Sequence, residues 1–111
     1  YLDAFGDPTK TGKQIGGDIL SNKKTFLLTK AYEQSNEVEQ KKIQSILDGD
    51  QSVKVKEMLA YYEQKNIKEF TRQEIKKHSN LAFEFLEKAP IVSKRKVHLQ
   101  ALAEILLNRE Y

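Results

Sequence analysis

The sequence predicts an all-α protein built as a small helical bundle. Its frequent residues are Lys, Glu, Leu, Gln, Ile and Ala, a composition that favours helices. Apolar residues recur at spacings of three and four along most of the chain. No segment alternates apolar and polar residues for long enough to predict a strand. With 111 residues, the chain has the size of one small domain.

The first third of the chain predicts a helix end, a loop and a longer helix. Residues 1–5 have the pattern of a last helical turn, which residues 6–8 (Gly-Asp-Pro) stop because proline cannot continue a helix. Residues 9–17 are polar and rich in glycine, which predicts a loop. Helical spacing then resumes and predicts one helix over residues 18–34.

The next third predicts two more helices. An amphipathic helix is expected from residue 36 to residue 47, ending at Asp-Gly-Asp, residues 48–50. Ser52 is the expected cap of the following helix, which closes at residues 65–66. The adjacent Tyr61 and Tyr62 lie at core spacing in that helix, so we expect them to be packing residues.

The last third predicts two helices separated near Pro90. Residues 71–74 (Thr-Arg-Gln-Glu) have the capping-box pattern, so a helix is expected to begin at Thr71. Ser93 is expected to cap the final helix. Lys94, Arg95 and Lys96 are expected to be a solvated basic helix end, and the alternative is that they and Arg109 reach a second diphosphate. The predicted inward-facing residues of the final helix are Val97, Ala101, Leu102, Ile105 and Leu106.

Charge and cysteine content exclude several classes of function. The chain has no cysteine, which excludes disulfides, cysteine-bound zinc and thiol catalysis, and fits a reducing, cytoplasmic location. No apolar run is long enough to span a membrane. The 19 Lys+Arg residues are mixed with 16 Asp+Glu residues, which argues against nucleic acid as a partner. His78 and His98 lie apart, without a partner at ligand spacing.

Candidate chemistry is concentrated in residues 1–24. This segment contains three aspartates, four lysines and four glycines. Carboxylates are hard oxygen ligands for Mg²⁺, lysines neutralise phosphates, and glycines let the backbone approach a ligand closely. The segment is not a P-loop, because five residues separate Gly6 from Gly12 and Gln14 replaces the Ser/Thr. A solvated turn is the plain alternative, but about 12 residues exceed the usual connection between helices.

The order of these residues resembles the second aspartate-rich region of the trans-isoprenyl diphosphate synthases, the family of farnesyl and geranylgeranyl diphosphate synthases. The matching elements are Asp3, Phe5-Gly6-Asp7-Pro8, Gly12-Lys13, Gly16-Gly17-Asp18-Ile19 and Asn22-Lys23. Weaker similarity continues to the end of the chain. The resemblance implies the all-helical isoprenoid synthase fold and a chain that is its carboxy-terminal part. Residues 1–24 would carry the motif and the diphosphate-binding loop, and residues 25–111 would be helical scaffold.

The resemblance also implies an activity. Members of this family are prenyltransferases that condense isopentenyl diphosphate with an allylic diphosphate (dimethylallyl, geranyl or farnesyl), using two or three Mg²⁺ ions. They are cytoplasmic homodimers. With the first aspartate-rich motif outside this sequence, the chain alone is expected to be inactive.

Four residues are assigned through the motif. Lys13 and Lys23 are expected to bind the diphosphate, and Asp3 and Asp18 to bind the metal. Asp7 is expected to stabilise its turn with Pro8, and no residue is assigned a catalytic role. Two other functions remain open: a small basic helical module that binds nucleic acid, and a helical protein-interaction domain.

Overall fold

The chain folds into helices joined by short connections. The computed structural model describes residues 1–12 and 14–108, which contain eight helices and no strand, as the all-α prediction requires. The helices are α1 (Leu2–Phe5), α2 (Pro8–Thr11), α3 (Gly17–Leu20), α4 (Phe26–Glu33), α5 (Glu37–Asp48), α6 (Gln51–Gln64), α7 (Ile67–Lys88) and α8 (Ser93–Asn108). None of them is both long and apolar enough to cross a membrane.

The α5 and α6 helices begin at side-chain caps. Asn36 and Glu39 form the reciprocal capping box of α5, in which each side chain accepts a hydrogen bond from the other residue's backbone at 3.0 Å. The predicted cap of α6 was wrong by two residues: Asp50 is the cap, and its carboxylate accepts a 2.7 Å hydrogen bond from the Ser52 backbone N–H.

The predicted helix over residues 18–34 is two helices. Asn22 adopts a left-handed conformation (φ 52°) after α3, which ends the first helix. Thr25 then caps α4 by accepting a hydrogen bond from the Leu28 N–H at 3.3 Å. The predicted loop over residues 9–17 is also interrupted, because the single turn α2 begins at Pro8.

The start of α7 was predicted four residues too late. Thr71 lies inside the helix, where its hydroxyl donates a 2.7 Å hydrogen bond to the carbonyl of Ile67 one turn earlier. The helix begins after Asn66, which takes the left-handed conformation with φ 54°. A capping-box pattern therefore occurs here in the middle of a helix. The end of α7 at Lys88, before Pro90, agrees with the prediction.

The core surrounds α6, which contacts α3, α5 and α7. Met58, Tyr61 and Tyr62 of α6 are buried there, so the expected packing role of the two tyrosines is confirmed. The other buried apolar residues are Ala4, Ile19, Leu27, Ala31, Ile43, Ile46 and Ile67. Ser35 joins this core through a 2.5 Å hydrogen bond between its hydroxyl and that of Tyr61.

The α8 helix does not bury the apolar residues that were predicted to face inward. Val97, Leu102, Ile105 and Leu106 are all more than half exposed, and the main contact of α8 is with α7. Its buried residue is Lys96, expected to be solvated, whose ammonium donates a 2.7 Å hydrogen bond to the Glu87 carbonyl. The radius of gyration is 17.4 Å, whereas a compact chain of this length would have about 13 Å. The molecule is therefore elongated, and α8 contributes no apolar residue to the core.

Candidate functional site

Hydrogen bonds to Asp3 join α1 to the glycine-rich segment around the start of α3. Its backbone carbonyl accepts a 2.8 Å hydrogen bond from the Gly16 N–H. Its carboxylate oxygen Oδ2 accepts a 3.0 Å hydrogen bond from the Asp18 N–H. Two predicted metal ligands, fifteen residues apart in sequence, therefore lie on adjacent backbone segments.

Asp18 and Lys23 form the second contact of the site. The Lys23 ammonium lies 2.9 Å from Asp18 Oδ1, and the two residues are also joined by a backbone hydrogen bond of 3.0 Å. The hydrogen bond to Asp18 raises the pKa of Lys23 above its ordinary value, and the negative charges of Asp18 and Asp3 act in the same direction. Asp3, Asp18 and Lys23 thus form one cluster, which we call the acidic cluster.

Two glycines bring the segments of the acidic cluster together. Gly16 is buried with φ 86°, and a Cβ at this position would lie 2.4 Å from Cγ1 of Val55 on α6. Only a glycine tolerates both this conformation and this contact. A Cβ on Gly17 would lie 3.3 Å from Asp3 Oδ1, so the missing side chain keeps that oxygen accessible.

Asp7 is a cap, as predicted. Its carboxylate accepts hydrogen bonds from the Thr9 hydroxyl at 2.6 Å and from the Thr9 N–H at 2.9 Å. Those two hydrogen bonds hold the pKa of Asp7 below its ordinary value. The carboxylate is used locally at the start of α2 and is not part of the acidic cluster.

Two residues near the acidic cluster were not predicted as part of the site. Tyr62 is buried, and it lines a small cavity together with Thr25. Burial raises the pKa of Tyr62 to about 12, and the charge of Asp3 contributes to this rise. In the sequence, a threonine three residues before Leu28 is a visible helix-cap signal, but nothing there joins it to Tyr62.

An open cleft of about 1000 Å³ lies beside the acidic cluster. Asp3 and Asp18 both line it, together with residues of α1, α7 and the end of α8. Two carboxylates on adjacent segments are donors of the type that Mg²⁺ prefers, so their chemistry fits this ion. Within residues 1–12 and 14–108, no group of three or more His, Cys, Asp or Glu side chains is placed to hold a metal. Asp3 and Asp18 are the predicted metal ligands that line this cleft.

The structure brings three of the four predicted site residues together. Lys13, the fourth, lies outside the described residues, in the connection between Gly12 and Gln14. Gln14 is exposed, and His78 and His98 are exposed as well.

Comparison with known proteins gives a family match over the first part of the chain. The family model described as polyprenyl synthetase matches residues 1–64, which include the acidic cluster, the cap at Asp7 and the whole of α6. The match covers more than half of the chain. The chain belongs to the polyprenyl synthetase family. The family expected from residues 1–24 is thereby confirmed.

Characterised relatives of this polyprenyl synthetase chain carry related names. A short chain isoprenyl diphosphate synthase from Methanothermobacter thermautotrophicus is 30% identical over the whole chain, which covers 34% of that relative. A bifunctional chrysanthemol synthase from Tanacetum cinerariifolium is 39% identical over 88% of the chain and 28% of the relative. Farnesyl pyrophosphate synthase from Bos taurus is 36% identical over 60% of the chain and 19% of the relative.

The polyprenyl synthetase chain spans about a third, or less, of the length of these relatives. No solved structure matches it significantly.

Proposed function

We propose that the protein containing this chain is a prenyltransferase that joins isopentenyl diphosphate to an allylic diphosphate. In this reaction the bond between the allylic carbon and the diphosphate oxygen breaks. The double bond of isopentenyl diphosphate then supplies the electrons for a new carbon–carbon bond, and loss of a proton restores a double bond. The membership in the polyprenyl synthetase family, together with the adjacent Asp3, Asp18 and Lys23, carries the proposal.

The chain's role in this reaction is to hold the leaving diphosphate. Lys23 stands next to Asp18 at the surface, with 63% of its side chain exposed, so its ammonium is accessible to a phosphate oxygen. Lys13 is assigned the same role through its position after Gly12 in the motif. Positive charges placed where negative charge develops stabilise the transition state more than the ground state.

Asp3 and Asp18 would hold Mg²⁺ from this side of the cleft. Bound Mg²⁺ would neutralise the diphosphate and make it a better leaving group. Asp3 Oδ2 is already engaged by the Asp18 N–H, which fixes the orientation of the carboxylate and leaves Oδ1 as its ligand atom. Dimerisation and a cytoplasmic location belong to the same proposal and rest on family membership alone.

The proposal is tested by product formation from isopentenyl diphosphate and geranyl diphosphate with the full-length protein and Mg²⁺. Lys13→Ala should lower kcat by about 100-fold, because a charge that stabilises the leaving group is lost. Lys23→Ala should lower it by about tenfold, and Lys24→Ala, the matched neighbour, should leave it unchanged.

Two outcomes would contradict the proposal or part of it. If the wild-type protein makes no longer prenyl diphosphate at any Mg²⁺ concentration, the activity is wrong. If Lys13→Ala keeps the wild-type rate and the wild-type affinity for the allylic substrate, the assignment of Lys13 is wrong.

A further inference from the structure

One face of α6 packs against the segments that carry the acidic cluster. Val55, Met58 and Tyr62 lie three and four residues apart on this helix, so they share a face. Val55 packs against Gly16, which carries the backbone toward Asp3. Met58 and Tyr62 line a small cavity of about 10 Å³. Asp18 of α3 and residues of the α3–α4 connection line it too. The position of the acidic cluster therefore depends on this face.

Tyr62 contacts both segments of the site. The edge of its ring packs on Phe5, with ring centroids 6.4 Å apart and planes inclined by 60°. Phe5 lies on α1, two residues after Asp3. The same side chain lines a small cavity with Lys23 and with Thr25, two residues further along the chain. A single buried side chain thus joins the segment that carries Asp3 to the segment that carries Lys23.

We propose that Tyr62 is a positioning residue that fixes the distance between Asp3 and the Asp18–Lys23 pair. This inference rests on the proposed function, because it assigns Tyr62 to the binding of Mg²⁺ and diphosphate. Ligand groups must be held to within about half an ångström for tight binding, and the residues behind them supply that precision. Tyr62 touches neither metal nor substrate and acts through Phe5 and the small cavity that it lines with Thr25.

Tyr61 provides a control within the same helix. It is buried to the same degree as Tyr62, with 3% against 2% of the residue exposed. Its hydroxyl bonds a hydroxyl side chain, that of Ser35 between α4 and α5. The ring is approached by the ammonium groups of Lys42 and Lys65 at 5.7 and 6.0 Å, and it lines neither cavity of the site. The two Tyr→Phe variants therefore each remove one hydroxyl from a buried side chain, and only Tyr62 lines a cavity of the site.

The test compares Tyr62→Phe with Tyr61→Phe in the full-length protein. Thermal unfolding measures their stability, and calorimetry measures the binding of inorganic pyrophosphate across a series of Mg²⁺ concentrations. Both variants should lose a similar amount of thermal stability. Tyr62→Phe should raise the half-saturating Mg²⁺ concentration for pyrophosphate binding by about tenfold, as loss of a supporting contact behind a metal ligand does. Tyr61→Phe should stay within about twofold of the wild type, because its hydroxyl contacts no residue of the site.

A second variant approaches Tyr62 from its contact on α1. Phe5→Leu removes the ring that packs against Tyr62 and keeps an apolar side chain at this position. It should raise the half-saturating Mg²⁺ concentration as Tyr62→Phe does, and it serves as the test if Tyr62→Phe does not fold. Binding unchanged from the wild type would contradict the positioning role.

The outcomes separate the inference from the function on which it rests. If the wild type binds pyrophosphate with Mg²⁺ and Tyr62→Phe changes binding no more than Tyr61→Phe, the positioning role is wrong and the proposed function stands. If the wild type shows no Mg²⁺-dependent binding, the proposed function fails, and the role of Tyr62 fails with it.

Discussion

Residues 1–71 and residues 72–108 differ in how they use their apolar side chains. All ten buried apolar residues in the described chain lie between Ala4 and Ile67, so we call residues 1–71 the core unit. We call residues 72–108, which comprise the rest of α7 and all of α8, the distal arm. Eleven of the fifteen exposed large apolar side chains in the described chain lie in the distal arm.

The candidate site lies in the core unit, the region with the buried apolar residues. Asp3, Asp18 and Lys23 all belong to the core unit, where Gly16 and Tyr62 connect them to α6. The distal arm contributes to the wall of the open cleft through residues such as Phe83 and Leu106, but its main connection to the core unit is through α7. The precision of the site should therefore depend on packing in the core unit and be insensitive to most changes in α8.

The largest expected difference in stability is between two isoleucine variants, one in each region. Ile67→Ala removes a fully buried side chain from the core unit, and this should lower the free energy of unfolding by about 2–5 kcal/mol. Ile105→Ala in the distal arm, where the side chain is 60% exposed, should cost about 0.5 kcal/mol or less. Urea unfolding of both variants measures the difference, and equal losses would break the division into two regions.

A slightly smaller effect is expected at Gly16, inside the core unit. Gly16→Ala combines a left-handed conformation with a Cβ placed against Val55, so the expected loss is about 2–4 kcal/mol. Gly12→Ala has the same kind of conformation, with φ 62° and no atom within 4 Å of the added Cβ, and should cost about 1–2 kcal/mol.

The Val55→Ala change should recover part of the loss in Gly16→Ala, because it removes the atoms that the new Cβ meets. Chemical unfolding of the double variant measures this recovery. If Gly16→Ala costs no more than Gly12→Ala, the close packing of the glycine-rich segment on α6 is not what fixes its position.

A third prediction concerns alkaline pH. The pKa of Tyr62 is raised by burial to about 12 in the folded protein, above its ordinary value of 10.0. The contribution of protonated Tyr62 to the free energy of unfolding is therefore complete below pH 10. It is lost as pH rises toward 12, by roughly 2–3 kcal/mol. Tyr62→Phe should lose less stability than the wild type over this range. Lys65, whose pKa is raised by its hydrogen bond to Glu39, titrates in both proteins, so the difference isolates Tyr62. Identical alkaline unfolding curves would contradict the burial of an ionisable phenol.

Much of the fold and the family were predictable from the sequence. The bounds of α5, the break at Lys65–Asn66 and the end of α7 before Pro90 follow from local signals, and the structure has them at these positions. These helix bounds were predictable because each depends on neighbouring residues alone. The ordered motif in residues 1–24 was enough to indicate the family. Its assignment of Asp3, Asp18 and Lys23 to the site stays a prediction, and the structure places the three residues together.

The failures depend on contacts that a sequence does not display. A threonine followed by Glu three residues later marks a helix start, yet Thr71 instead bonds the carbonyl of Ile67 within α7. The apolar positions of α8 predicted burial, but apolar spacing says nothing about which neighbour is present to cover them. The positioning role proposed for Tyr62 could not be predicted for the same reason, since its ring contact with Phe5 joins residues far apart in the chain.

The most direct test of the acidic cluster compares Asp18→Asn with Asp7→Asn in the full-length protein. Both changes keep the shape of the side chain and remove one carboxylate from the same motif. Asp7 serves as a cap, a role that Asn also fills, whereas Asp18 pairs with Lys23 beside Asp3. With saturating Mg²⁺, calorimetry should show that Asp18→Asn weakens pyrophosphate binding by at least about tenfold, while Asp7→Asn binds as the wild type does. Equal binding by the two variants would contradict the account of this site.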